Sequence, residues 1–263
     1  MENNIEQIQQ AVEQLEGPVL TIYLNTNPTN ENWKIRLKNG LKKTEEYIEV
    51  SNPDDVQQFK AIRKRVDAQI KDDQTRFMNS LICFATKDEI LTYHFQFRVK
   101  NDFQWNDTPA TTQLEELFEK YPKSGVVLLQ RDKITLITSS LGTLMDEVHY
   151  EFDLENEDWT QYKGVGFANV YASSANHRDK YDRRIKENQE RWFKSIVPII
   201  ERVSRNKKWS FVHLAGPAEL TQQMRNLLNI SVTGETTRNY SGKSAEDILN
   251  KTVLATEESE SYK

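Results

Sequence analysis

The sequence predicts a mixed fold, of α/β or α+β type, in which a mixed β-sheet is flanked by helices. Strand-like apolar runs alternate with segments of helical period along most of the chain. Hydrophobic residues make up 37% of the 263 residues and charged residues 29%, which is typical of a buried core with a polar surface. The linker "YPKSG" separates an N-terminal α/β region, residues 1–121, from a second region, residues 122–263.

The first half begins with one helical and one strand-like segment. "NIEQIQQAVEQLEG" has the apolar period of a helix that Gly17 closes, and "PVLTIYLNT" is a β-rich run. Residues 33–77 have the pattern of two helices joined at the turn "SNPDD". The strands "SLICFAT" and "EILTYHFQF" follow, then "KNDFQWNDTPATT", which we predict to be irregular, and a short helix at 114–121.

The second half opens with an antiparallel meander. Its strands are "GVVLLQ", "KITLITSS" and "LMDEVHYEF", and the turns between them are "RDK" and "LGT". We predict a loop over residues 153–177, with Gly164 and Gly166 as turns or hinges, and a long helix over 178–205. A strand "WSFVHLAG", a helix "PAELTQQMRNLL", a strand "ISVTGETT" and a helix "SAEDILNKTVLA" complete the pattern.

The long helix is amphipathic and basic. At about 100° per residue, its apolar stripe is Tyr181, Ile185, Asn188, Trp192, Ile196, Ile199 and Val203. The opposite side carries Lys180, Arg184, Arg191, Lys194, Arg202 and Arg205, interrupted by Glu187. Residues 176–208 contain eleven Lys and Arg against five Asp and Glu, in a chain whose net charge is −5. The basic side is interpreted either as an anion-binding surface or as an ordinary solvated helix face.

Several classes of protein are not indicated. No apolar run reaches the roughly 18 residues of a membrane span, and the polar first thirty residues do not resemble a signal peptide, so we expect a cytoplasmic protein that does not cross a membrane. The single cysteine, Cys83, lies in an apolar run and is predicted to be a buried structural thiol. No cofactor is predicted, because the sequence has no nucleotide-binding fingerprint.

Metal binding has little support. The four histidines are scattered without metal-ligand spacing, and His213, in an apolar strand, is predicted to be a core residue. The carboxylates of Asp146, Glu147, Glu151 and Asp153 cluster near a strand end, but no further motif accompanies them.

The order of motifs in the second half resembles a known family. It runs from the meander "VVLLQRDKITLITSSLG" through a polar loop and "HRDKYDRRIKENQERWFKSI" to "FVHLAGP". This order resembles the middle domain of archaeal and eukaryotic class-1 peptide chain release factors and of their small bacterial relatives. "VLTIYLNT" is similar to the opening strand of those bacterial relatives. Tyr181 takes the place of the family Phe, and Arg184, Lys186 and Glu187 that of its basic, basic, Glu pattern.

The resemblance implies where a reactive loop would lie. Residues 174–176, Ser-Ala-Asn, stand where the family has Gly-Gly-Gln, so the amide is kept but shortened and the two glycines are absent. The implied catalytic candidates are Asn176 and His177. The implied partners are the ribosome and the tRNA acceptor end. The implied nucleic-acid-binding residues are Arg178, Lys180, Arg183, Arg184, Arg191 and Lys194.

Three functions remain open at this point. The first is a ribosome- or tRNA-associated, release-factor-like protein in translation quality control or ribosome rescue, without hydrolysis. The second is an active peptidyl-tRNA ester hydrolase on stalled ribosomes, in which preorganised dipoles assist the attack of water. The third is a protein–protein interaction module whose basic helix is only a solvated surface.

Overall fold

The structure is a computed structural model that describes residues 5–27, 32–130, 133–153, 158–163, 175–240 and 242–254. Within these ranges, the side chains of 152, 153, 158–160, 162, 163 and 175–190 lie outside the description. The chain divides into two compact units, Met1–Lys120 and Tyr121–Lys263.

The first unit contains, in its described residues, a four-stranded antiparallel sheet of order β3-β2-β1-β4. Its strands are β1 (Val19–Asn25), β2 (Ser80–Ala85), β3 (Ile90–Phe95) and β4 (Asp102–Asn106). Its helices are α1 (Ile5–Glu13), α2 (Asn32–Ser51), α3 (Val56–Asp72) and α4 (Thr112–Lys120). Short 3₁₀ turns at Pro53–Asp55 and Asp73–Arg76 flank α3.

The helices α2 and α3 form an antiparallel hairpin that packs on the sheet. Leu41 of α2 and Phe59 of α3 are fully buried in one cluster with Leu20, Ile22 and other strand residues. Burying large apolar side chains in this way stabilises the unit by roughly 1.5–3 kcal/mol for each side chain. Gly40 of α2 is required by close packing, because a Cβ there would lie 2.4 Å from the ring of Phe103.

The strand β4 corrects the prediction of an irregular segment over "KNDFQWNDTPATT". It pairs with β1, with Ile22 opposite Phe103. Phe103 and Trp105 pack against the α2–α3 cluster, while Asp102 and Gln104 alternate with them. The segment is therefore an edge strand in which apolar and polar residues alternate. Its many polar residues are the reason that the sequence did not indicate a strand here.

The second unit contains, among its described residues, a six-stranded mixed sheet of order β10-β9-β5-β6-β7-β8. Its strands are β5 (Ser124–Leu129), β6 (Lys133–Ser140), β7 (Thr143–Asp153), β8 (Asp158–Lys163), β9 (Phe211–Ala215) and β10 (Gly234–Thr236). Its helices are α5 (Ala175–Lys207), α6 (Ala218–Leu227) and α7 (Ala245–Thr252). From β5 to β8 the pairing is antiparallel, whereas β9 is parallel to β5 and to β10, so the predicted mixed fold is confirmed.

The sheet of the second unit is covered on both faces. Successive residues of β5 point to opposite faces of the sheet. Val127 packs in the hydrophobic cluster with α5 and α6, and Val126 packs in the cluster with α7. This alternation is the period-two pattern of a strand that is buried on both sides. The long helix α5 is thereby fixed on one face, which positions the candidate site.

Two boundaries differ from the prediction. The predicted loop at 153–177 contains the edge strand β8, whose Thr160 pairs with Glu151 of β7. The long helix begins at Ala175 and ends at Lys207, so it is 33 residues long and starts three residues earlier than predicted. Gly164 and Gly166 lie outside the described residues.

The end of α5 is anchored by Trp209. Its indole Nε1 donates to Thr138 Oγ1 at 3.1 Å, a buried hydrogen bond between the strand β6 and the chain that leaves α5. The ring lies against Gly125, where an added Cβ would be 2.1 Å from the ring atoms. Gly125 is therefore needed for space, and this contact holds the last turn of α5 against the sheet.

Candidate nucleic-acid interface

The buried face of α5 fixes which residues can meet a ligand. Trp192, predicted to face the sheet, is 3% exposed, and Ile196 is fully buried. Phe193, Val197 and Ile200 share this face, so it is broader than the predicted stripe. Tyr181, Ile185 and Asn188 belong to the predicted stripe, but their side chains lie outside the described residues.

The opposite face carries a row of cations, which we call the basic stripe. It consists of Arg191, Lys194, Arg202 and Arg205, all exposed. At about 100° per residue these positions lie within an arc of roughly 80° around the axis, which also contains Pro198, while Ser195 and Glu201 each lie about 20° outside one of its edges. Between 191 and 205 the helix has one carboxylate, Glu201, so this face is predominantly positive.

The carboxylate of Glu201, at the edge of the stripe, is held by two hydrogen bonds. Glu201 Oε1 accepts hydrogen bonds from the backbone N of Asn229 at 2.9 Å and from its side-chain Nδ2 at 3.1 Å. These bonds tie Glu201 to the chain that follows α6. The helix thus contains an acid at this level without placing it in the basic stripe.

The last turn of α5 also has structural reasons to be basic. Arg205 and Lys207 lie where the helix dipole favours cations. Lys207 Nζ lies 2.8 Å from Asp146 Oδ2 on β7, which fastens the helix end to the sheet. Part of the positive charge of α5 is therefore structural, and Lys207 is not counted in the basic stripe.

The candidate reactive residues lie at the beginning of α5. Because the helix begins at Ala175, Asn176 and His177 occupy its first turn and not the preceding loop. The first backbone N–H groups of a helix have no partner within the helix and, with the dipole, favour an anion at that end. The side chains of the predicted residues Arg178, Lys180, Arg183 and Arg184 lie outside the described residues, as do those of Asn176 and His177.

Two carboxylates of the acidic cluster on β7 form ion pairs with lysines, and a third lies near a histidine. Asp146 pairs with Lys207, Glu147 Oε1 lies 3.5 Å from His149 Nε2, and Glu151 Oε1 lies 3.7 Å from Lys133 Nζ. The side chain of Asp153 is not among those described. In the part of the chain that the structure describes, no group of three or more His, Cys, Asp or Glu is placed to hold a metal ion.

The described histidines of the second unit are hydrogen-bonded within the sheet. His213 Nε2 lies 2.8 Å from Thr236 Oγ1, and burial lowers the pKa of His213 to about 4, so the ring is neutral at pH 7. His149 Nδ1 lies 2.9 Å from Thr135 Oγ1. These contacts agree with the predicted structural role of His213.

The thiol of Cys83 is unsuited to nucleophilic chemistry. It is fully buried in β2, and burial raises its pKa to about 12, so it stays protonated at neutral pH. Among the described residues, no helix combines the length and the apolar character that crossing a membrane requires.

Comparison with known proteins identifies the class of the chain. Residues 122–254 match the model of the bacterial archaeo-eukaryotic release factor family 5, a match over half of the chain. The chain is thus a release-factor-like protein, of a class connected with translation. It belongs to the bacterial archaeo-eukaryotic release factor family 5, which confirms the resemblance indicated by the motifs of the second half.

Individual proteins are also similar to this chain. The uncharacterized protein YocB of Bacillus subtilis (strain 168) is 24% identical over 249 residues, which cover 91% of this chain and 94% of YocB. Among solved structures, the archaeal translation termination factor aRF1 is 12% identical, with a TM-score of 0.32, over 98% of this chain and 74% of aRF1. A structure described as an archaeal protein has the same identity and TM-score, over 97% of this chain and 75% of that protein.

Proposed function

We propose that the protein is a cytoplasmic, ribosome- or tRNA-associated factor in translation quality control or ribosome rescue, and that α5 contacts RNA through its basic stripe. The observation that supports this most is the stripe itself, four exposed cations within one arc of a helix of the family-matched region. Such a row neutralises phosphates and releases their counterions, which drives nucleic-acid binding without reading sequence.

The length of the stripe is suited to a nucleic-acid backbone. From 191 to 205 the helix rises about 21 Å at 1.5 Å per residue. With one phosphate for about 3.4 Å of helix axis in each strand, this distance spans roughly six phosphates. The stripe therefore presents its cations over a distance comparable with half a turn of duplex or a short single strand.

A second candidate function is hydrolysis of the peptidyl-tRNA ester. It is supported by the start of α5 at Ala175, since Ala175 and Asn176 then belong to the first turn, the positively polarised end of the helix. There Asn176 would orient a water or the ester carbonyl, and His177 and the first backbone N–H groups would stabilise the developing oxyanion. The tRNA acceptor end is the substrate in this proposal, with Arg178, Lys180, Arg183 and Arg184 as its phosphate contacts.

The binding proposal is tested by the salt dependence of ribosome association. A quadruple variant, Arg191→Gln, Lys194→Gln, Arg202→Gln and Arg205→Gln, is compared with the wild type by co-sedimentation with ribosomal subunits over a range of salt. Each lost phosphate contact should lower the slope of log affinity against log salt by about 0.7–0.9. A double variant of exposed cations on and near α7, Lys243→Gln and Lys251→Gln, is the control and should keep the wild-type slope. An unchanged slope in the quadruple variant would leave α5 as a solvated face and favour the protein–protein interaction module.

The hydrolysis proposal has a separate readout. Release of the peptide from peptidyl-tRNA on stalled ribosomes is measured for the wild type and for Asn176→Ala. Loss of release with unchanged ribosome binding supports a hydrolase. Binding without release by either protein supports the non-hydrolytic factor.

A further inference from the structure

The α2–α3 hairpin of the first unit has a separated charge distribution. We call residues 45–62 the hairpin tip and residues 32–44 together with 63–72 the hairpin base. The tip contains five carboxylates and one lysine, for a net charge of −4. The base contains nine Lys and Arg against two Asp, for a net charge of +7. The two ends of one antiparallel hairpin therefore differ in the sign of their charge.

The carboxylates of the tip are largely occupied within the hairpin. Glu45 is the central acceptor, with 19% of its side chain exposed, and it pairs with Lys60 at 3.2 Å and with Arg63. Glu49 lies 3.6 Å from Lys60, and Glu46 lies 3.5 Å from Lys42. Pairs of this kind connect α2 to α3 across the hairpin. Because Lys42 and Arg63 belong to the base, these pairs also offset two of its nine cations, and the base keeps an excess of positive charge.

The cations of the base are mostly directed to solvent. Within the described part of the chain, Arg36, Lys38, Lys43, Lys64 and Lys71 have no ion-pair partner, and all except the half-buried Arg36 are exposed. Arg65 is different, because its guanidinium donates to backbone carbonyls of the β2–β3 turn at Thr86, Lys87 and Asp88. Arg65 is therefore structural, and the lysines carry the surface charge.

An open groove of about 630 Å³ runs along the exposed side of α3. It is lined by the α3 residues Lys60, Arg63, Lys64, Asp67, Ala68, Lys71 and Asp72, and by Glu45 of α2. On α2, Lys34, Lys38 and Lys42 follow at intervals of four residues, about 6 Å apart along the axis. Since α2 and α3 are antiparallel, the first turns of α2 lie beside the last turns of α3, which brings the basic parts of the two helices to the same end of the hairpin.

We propose that the hairpin base is a second RNA-binding surface, which contacts phosphates and leaves the acidic tip out of contact. Lysine suits this role because it is a mobile point charge that contacts phosphate without fixed geometry. A protein partner is less favoured, because the lysine row has one large exposed apolar neighbour, Ile35, and stable protein interfaces need an apolar core. This proposal extends RNA contact to the first unit. It depends on the proposed function only in taking RNA as the ligand.

The test uses the full-length protein and a short fluorescein-labelled RNA duplex. The base variant is Lys38→Gln, Lys64→Gln and Lys71→Gln. Its matched control, Lys87→Gln, Lys100→Gln and Lys120→Gln, removes the same charge from exposed positions of the same unit. The base variant should lower the salt slope of RNA binding by about two to three units and the affinity by roughly tenfold or more, whereas the control should change neither. Equal melting temperatures for the two variants show that folding is not the cause.

The outcomes separate this inference from the proposed function. If the basic-stripe variant of α5 loses RNA and the base variant binds like the wild type, the inference is overturned and the proposed function stands. If only the base variant loses RNA, the inference stands and the assignment of α5 fails. A base variant that keeps RNA binding but loses binding of a labelled polyglutamate peptide would identify an acidic protein as the ligand and overturn the RNA assignment.

Discussion

The basic stripe of α5 and the α2–α3 hairpin are both rich in lysine and arginine, but they treat their carboxylates differently. On α5 the acid at the edge of the stripe, Glu201, accepts hydrogen bonds from the backbone and side-chain N–H groups of Asn229. In the hairpin, Glu45 pairs with Lys60 of the tip and with Arg63 of the base, so this acid offsets cations of both parts while the base keeps its excess of positive charge. On both surfaces, the groups that bind the Asp and Glu side chains matter more for anion binding than the number of Lys and Arg residues.

The largest expected effect concerns the burial that orients α5. Trp192 is 3% exposed, and its removal should leave a cavity, so Trp192→Ala is expected to cost roughly 3–5 kcal/mol of unfolding free energy. Urea unfolding measures this cost. The neighbouring variant Arg191→Ala, on the exposed face, should change the free energy of unfolding by less than about 0.5 kcal/mol. Equal unfolding of Trp192→Ala and wild type would mean that α5 presents another face and that the basic stripe is wrongly assigned.

A second prediction concerns two half-buried histidines, one in each unit. Burial lowers the pKa of both His213 and His94, but Asp73, 3.9 Å from His94, acts to raise the latter. His213, with Glu235 raising its pKa and Arg225 lowering it, titrates at about 4 in the folded state against about 6.5 unfolded. Since the unfolded state takes up this proton at a higher pH than the folded state, the contribution of neutral His213 to folding stability is fully present above about pH 6.5. That stability is lost as the pH falls towards 4.

The loss from His213 should be on the order of 2 kcal/mol over this interval. Unfolding free energies of the wild type and of His213→Gln, measured from pH 7 to pH 4, provide the check. The variant, which has no titrating ring at this position, should have the flatter profile. Equal slopes for wild type and His213→Gln would show that groups other than His213 determine how the unfolding free energy depends on pH in this range.

The sequence predicted much of this fold because most of its elements have a clear period. The meander β5–β7, the strand β9 and the long helix all have recognisable apolar patterns, and each was found near its predicted place. The missed strands, β4 and β8, are both edge strands. A strand with one neighbour tolerates polar residues, so it lacks the continuous apolar run that marks a central strand.

The candidate surfaces were predictable to a different degree. The basic side of α5 follows directly from helical spacing, and Arg191 and Lys194 are exposed as expected. The bonds that remove acids from these surfaces join residues far apart in sequence, such as Glu201 with Asn229 and Glu45 with Arg63. No local sequence pattern predicts such pairs, because the two residues of each pair meet only when one helix packs beside another element. The charge of the hairpin base has the same origin, since residues 63–72 reach residues 32–44 only through the antiparallel hairpin.

The smallest expected effects come from neutralising the two acids themselves. Glu201→Gln keeps an oxygen that can accept from Asn229 and removes one negative charge beside the basic stripe, so RNA affinity should rise by about two- to threefold with little change in stability. Glu45→Gln removes the charge that holds Lys60 and Arg63, which should cost roughly 0.5–1 kcal/mol, because such pairs at a partly exposed surface contribute modestly. It should also raise RNA affinity, since Arg63 of the hairpin base and the neighbouring Lys60 are released from their pairs with Glu45.

The two variants are best measured together, by RNA titration at low salt and by urea unfolding. A stability loss confined to Glu45→Gln, with an affinity gain in both, would support the difference drawn between the two surfaces. A gain in affinity for Glu201→Gln alone would restrict RNA contact to α5, because releasing Lys60 and Arg63 would then have brought no phosphate closer to the hairpin. A stability loss for Glu201→Gln as large as that for Glu45→Gln would mean that the charge of Glu201, and not only its acceptor oxygen, holds Asn229. In that case the charge of Glu201 would serve to hold α5 against the chain that follows α6. Its effect on the basic stripe would then be incidental to this packing.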